Sequence, residues 1–175
     1  MKALIVYYSL EGNTDLVARK IAEKIGADVI RLVPEKEIPT GNVKKFIWGG
    51  KSAVFGERPK LTNEKIPVDE YDTVILGTPV WAGTFTPSLM TFFSQVKFTG
   101  KDVYLFACHA GGGAVAEKCF AKMGKYLDGN TIRHTIDFTD PAKGQDSNVA
   151  EKIDAFCEII MKNETAVCKL DHGSY

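Results

Sequence analysis

Apolar residues along the chain gather into short continuous runs at 3–8, 29–33, 73–76, 103–107 and 131–138, each bounded by turn-forming residues. Runs of this length without polar alternation suit strands covered on both faces. Five such strands are predicted, the fifth interrupted by polar residues. Between them the apolar period changes. Val17, Ile21 and Ile25 recur at i, i+4 and i+8, and Gly26 stands where a helix would end. Pro87 is suited to open a second helix running through Met90 and Phe93, residues 114–127 predict a third, and 149–160 a fourth with Ile153, Phe156 and Ile160 on one face.

Strand and helix therefore alternate, which implies βαβ units and helices on both faces of a mostly parallel sheet. The predicted fold class is α/β: a three-layer, doubly wound, five-stranded parallel sheet. Residues 34–67 break the alternation with Pro39, Gly41, Gly49, Gly50, Gly56 and Pro59. One short, imperfect helix is expected there on Val43, Phe46, Ile47 and Val54, with Trp48 off its apolar face. A single domain over 1–162 is expected, followed by a polar and loosely ordered tail at 163–175.

Composition narrows the classes of function. Lys plus Arg and Asp plus Glu both total 22, so no global field attracts nucleic acid or an anionic membrane surface. Cys108, Cys119, Cys157 and Cys168 lie far apart and form no CxxC pair. Met1-Lys2 leads into an apolar run too short for a signal peptide. Reduced thiols in a cytoplasmic protein without a membrane span are expected. His134 and His172 have no partners at metal-ligand spacing, so no metal site is expected.

Three connections carry unusual chemistry. Ser9-Leu10-Glu11-Gly12-Asn13-Thr14 lies between the first strand and the first helix. A loop there presents unpaired backbone N–H groups and the positive end of the helix dipole, a setting for phosphate. Ser9, Asn13 and Thr14 add side-chain donors, Gly12 permits close approach, and the loop holds no Lys or Arg. An ordinary Ser/Asn/Thr helix cap has the same composition. Thr78-Pro79-Val80-Trp81-Ala82-Gly83 follows the third strand and offers an indole suited to stacking on a flat ligand, or to plugging the loop. Cys108-His109-Ala110-Gly111-Gly112-Gly113 follows the fourth strand, where a glycine run lets backbone approach a ring edge, or merely loosens a turn. In a sheet of order 2-1-3-4-5 these three loops share one edge, beside the point where the strand order reverses and ligands bind.

With those residues in place, the chain resembles the flavodoxin-like family over about residues 1–162. Residues 9–14 resemble the family's phosphate loop, 78–83 the loop bearing the stacking aromatic, and 108–113 the loop at the pyrimidine end of the ring. The resemblance implies FMN as cofactor and these three stretches as its binding residues. It implies an electron-transfer flavoprotein working with redox partner proteins or a small-molecule electron acceptor, or else an NAD(P)H-dependent oxidoreductase acting on quinones or similar acceptors. Departures from the family pattern bear on that choice. Glu11 stands where many members carry a hydroxyl and is expected to turn outward. Ala82 stands where a glycine eases a peptide flip toward the ring. Neither ring-contacting loop contains a carboxylate. His109 offers a loop donor or a proton source near neutral pH, and Cys108 reads as a buried structural thiol.

Overall fold

The computed structural model describes residues 2–37, 57–144 and 146–171. Strands β1 (Ala3–Tyr7), β2 (Asp28–Arg31), β3 (Thr73–Pro79), β4 (Asp102–His109) and β5 (Thr131–Thr139) form one sheet of order β2-β1-β3-β4-β5, parallel throughout. Among the described residues the helices are α1 (Asn13–Ile25), α2 (Pro87–Gln95), α3 (Gly113–Gly124) and α4 (Val149–Asp171). The helix expected on Val43, Phe46, Ile47 and Val54, together with Trp48, lies outside the described residues.

The central strands are apolar on both faces because helices cover both. Leu4, Val6, Val74, Leu76, Val103 and Leu105 pack with Leu89, Phe92 and Phe93 of α2 and Met123 of α3. The intervening residues Ile5, Tyr7, Ile75, Tyr104 and Phe106 pack with Val17 and Ile21 of α1 and with Ile153, Phe156 and Ile160 of α4. This is the period-2 alternation of a strand expressed as two separate cores. The edge strands differ from expectation: all of β2 and most of β5 are exposed or half-buried, with Val29 and Ile132 on the surface. An edge strand has a neighbour on one side only, and an apolar run does not encode that position.

Helix α4 continues to Asp171, past Lys162, where the apolar spacing stopped. Residues 161–171 contain neither glycine nor proline to interrupt an established helix. Among the described residues no helix is long and apolar enough to cross a membrane.

Candidate functional site

The loops after β1, β3 and β4 meet at the C-terminal edge of the sheet, and backbone hydrogen bonds join them. Tyr8 N–H donates to Gly77 O at 3.2 Å, and Val80 N–H donates to Cys108 O at 2.8 Å. Strands β2 and β3 flank β1 on opposite sides, so the order reverses beside the first loop.

In that first loop, Gly12 adopts φ +90°, the left-handed region that glycine enters without penalty, and precedes the first turn of α1. Ser9 is buried, and its Oγ accepts from Gly12 N–H at 3.2 Å. Thr14 is fully buried, and its Oγ1 makes no hydrogen bond of ordinary geometry. The Cys108 thiol lies close enough to feel that hydroxyl, while burial pushes Cys108 up to about 12. Glu11 is exposed, in line with its expected outward turn. Asn13 is engaged elsewhere: its Oδ1 accepts from Ala142 N–H at 2.8 Å and its Nδ2 donates to Asp140 Oδ1 at 3.3 Å.

One side chain that contacts this loop was hidden in the sequence. Arg31, at the end of β2, donates from its guanidinium to Ser9 O at 2.7 Å. The loop itself holds no base, but the register that sets Arg31 opposite Tyr7 brings one to it. Below the loop, Asp15 accepts from Arg19 at 2.8 Å and from the Tyr7 hydroxyl. Burial works to raise Asp15, yet these donors outweigh it and hold the carboxyl below its ordinary value. Burial and the Asp15 contact push Tyr7 up to about 12.

The second loop closes as a two-residue hairpin. Trp81 and Thr84 exchange both backbone hydrogen bonds, at 2.9 and 3.0 Å, with Ala82 at φ +50° and Gly83 at φ +69° between them. Positive φ at both central positions is the type I′ arrangement. Lys122 of α3 donates to Gly83 O at 3.0 Å, and Thr78 Oγ1 accepts from Thr86 N–H at 3.2 Å, tying the two arms together. Half-buried Trp81 meets Tyr8 edge to face, with ring centres 5.7 Å apart and an interplanar angle of 85°. The Tyr8 hydroxyl in turn donates to Glu37, and burial with that contact raises its pKa far above the ordinary value. Leu10, Val80 and Trp81 all pack against the same apolar cluster, whereas Pro79 is half-buried and Ala82 exposed.

The third stretch divides in two. Cys108 and His109 are buried as the last residues of β4, and Ala110, Gly111, Gly112 and Gly113 are exposed. His109, with a side chain 2% exposed, donates from Nε2 to Asp137 Oδ2 at 2.9 Å. A carboxylate only accepts, so this bond places the neutral ring's proton on Nε2. His109 Nδ1 is then a buried acceptor without a partner.

A fourth connection, after β5, completes the edge. Asp140 N–H donates to His109 O at 2.9 Å, and Asp140 also binds Asn13 as described above. The loops after β3 and β4 lack carboxylates, but the charges of Asp137, Asp140 and Asp146 act on the Cys108 thiol and add to the burial that raises it. Asp137 comes from a strand whose residues read only as an interrupted apolar run, and Asp140 and Asp146 come from the connection that follows it. No local spacing announced them.

The family model described as flavodoxin matches residues 2–136. A flavoprotein from Lactobacillus acidophilus, solved in complex with FMN, is 24% identical with a TM-score of 0.67, covering 86% of this chain and 97% of its own. Flavodoxin 2 from Bacillus cereus is 16% identical with a TM-score of 0.61, covering 93% and 99%. Oxidised flavodoxin 1 from the same organism is 19% identical with a TM-score of 0.55, covering 93% and 98%. At these identities the likeness is one of fold.

Proposed function

The chain belongs to the flavodoxin family, and on that premise we propose that it binds FMN at the C-terminal edge of its sheet and serves as an electron-transfer flavoprotein. One observation carries this reading: the fully buried Thr14 hydroxyl, in the first turn of α1, makes no hydrogen bond of ordinary geometry and has only the weak Cys108 thiol beside it. A buried hydroxyl left unpaired costs about 1–3 kcal/mol, which a ligand acceptor would recover. A phosphate monoester at the helix N-terminus is such an acceptor and also meets the positive end of the dipole.

In this reading Ser9 to Thr14 hold the phosphate through backbone N–H groups and hydroxyls. Trp81, set at its angle by Tyr8, covers the ring, supported by Leu10 and Val80. The exposed backbone of residues 110–113 borders the ring's polar edge. FMN supplies the reversible uptake of electrons, for which side chains are poorly suited. The residues bind it, orient it and exclude water. Buried free thiols at Cys108, Cys119 and Cys157 suit a reducing, cytoplasmic setting. The partners are then redox proteins or a small-molecule electron acceptor.

A second reading, an NAD(P)H-dependent oxidoreductase of quinones or similar acceptors, is favoured by His109 and Asp137. Such reductions consume protons, and this pair holds a proton at the same edge. Titration of the FMN-depleted protein with FMN and with riboflavin tests the site. FMN should bind far more tightly and quench Trp81 fluorescence in a Trp48→Phe background. Equal affinity for the two flavins would refute the phosphate cradle. Rapid mixing of the FMN-loaded protein with NADH or NADPH and a quinone then decides between the readings. Sustained nucleotide oxidation identifies the reductase, and its absence supports the carrier.

A further inference from the structure

The loop Ser9-Leu10-Glu11-Gly12-Asn13-Thr14 contains no basic residue, and its one charged side chain, Glu11, is acidic. We propose that Arg31 of β2 supplies the missing positive charge, so that the cradle selects a phosphate monoester by charge as well as by hydrogen bonds. This inference rests on the FMN-binding reading above.

Three observations converge on it. The Arg31 guanidinium donates to the carbonyl of Ser9, the first residue of the loop, at 2.7 Å. Arg31 also stands opposite Tyr7 in the β1–β2 register, two residues before the loop begins, and the Tyr7 hydroxyl reaches Asp15 in the first turn of α1. At the C-terminal end of the loop, the buried Thr14 Oγ1 makes no hydrogen bond of ordinary geometry.

The surrounding charges leave Arg31 available for this role. Asp15 is engaged by Arg19 and Tyr7, and Lys143, the base near Asn13, pairs with Asp140 at 3.4 Å. A guanidinium presents five N–H donors in a planar fork, and among the described residues that of Arg31 makes one hydrogen bond. Anchored by that single bond, it retains donors and a full charge for a phosphate oxygen. Arg31 is exposed, so solvent screens the attraction and the gain is moderate. About tenfold in phosphate-dependent affinity is expected, equivalent to about 1.4 kcal/mol.

The test compares ligands that differ only in the phosphate. FMN and riboflavin are titrated into FMN-depleted wild type, Arg31→Gln and Arg31→Lys, with circular dichroism to verify the fold of each. Arg31→Gln should weaken FMN about tenfold and leave riboflavin unchanged, whereas Arg31→Lys, which keeps the charge, should restore most of the difference. Raising the ionic strength should narrow the preference for FMN in wild type more than in Arg31→Gln. Inorganic phosphate alone should raise the thermal midpoint of FMN-depleted wild type more than that of Arg31→Gln. An equal loss for both flavins would mean that Arg31 only props Ser9, and no loss would mean that its charge is not felt; either result overturns the proposal. A wild type that binds FMN no better than riboflavin overturns the cradle itself.

Discussion

Gly77 of β3 and Phe106 of β4 face each other in register, and the Phe106 ring fills the space that a side chain at position 77 would occupy. A Cβ at Gly77 would lie 2.1 Å from Phe106 Cζ, and the ring is fully buried with nowhere to retreat. Gly77→Ala should therefore cost about 1–3 kcal/mol of stability through overpacking. The companion change Phe106→Leu should recover part of that loss when both are made together. Urea unfolding of the two single variants and the double variant measures the coupling, and additive losses would place the clash elsewhere.

The strained residue of the Trp81 hairpin is Ala82, at φ +50°. A left-handed alanine costs about 1–2 kcal/mol, while glycine costs about 0.4–1 kcal/mol through the unfolded chain. Ala82→Gly should then stabilise the protein by about 0.5 kcal/mol. Ala82→Val should destabilise it, because a β-branched residue is a genuine outlier at positive φ. The same substitution bears on function. Rotating the Ala82–Gly83 peptide would convert the turn toward type II′, whose first central position belongs to glycine. Ala82 thus locks the peptide, and Ala82→Gly should free it. Chemical denaturation reads the first effect, and hydrogen exchange at Gly83 N–H reads the second as faster exchange.

The Asp137 carboxylate fixes which nitrogen of His109 carries the proton. In the neutral ring, nitrogen NMR should show a protonated Nε2 and a bare Nδ1. Asp137→Asn should relax that preference toward a mixture, because an amide can accept or donate. A wild-type ring protonated on Nδ1 would remove the pair as a proton-holding unit and weaken the reductase reading with it.

Acid stability depends on Asp146, whose side chain is 8% exposed and accepts from Lys152 at 2.8 Å and from the backbone N–H groups of Thr139 and Asn148. Burial alone would raise its pKa, but these donors outweigh it and hold the carboxyl below its ordinary value of 3.8. Because the folded pKa lies below the unfolded one, the stabilising contribution is complete above the unfolded value and is lost as pH falls through the folded value. The wild-type thermal midpoint should therefore drop on acidification below 3.8. Asp146→Asn should start from a lower midpoint at neutral pH and fall less steeply. Thermal scans across the acid range provide the comparison, and parallel curves would exclude Asp146 as the source.

The layered architecture was legible along the chain because both of its periods are local: continuous apolar runs mark strands covered on two faces, and i, i+4 spacing marks the helices that cover them. The three loops that carry the Ser9 and Thr14 hydroxyls, the Trp81 indole and the glycine run of 111–113 were legible for a related reason. Each is one short stretch of chain, and topology alone places all three at the same edge. What the tertiary structure decided is everything that depends on register between distant segments. Arg31 reaches Ser9 because β2 pairs with β1, not because of any pattern around residue 31. Asp137 reaches His109 because β5 lies beside β4, so loops without a carboxylate acquire one from a neighbouring strand. Asn13, read as a phosphate donor, is drawn to Asp140 and Ala142 by a connection more than a hundred residues away. Local sequence sets the period of burial and the chemistry of a loop, whereas charge and hydrogen-bond partners follow distance in space, which only the completed sheet establishes.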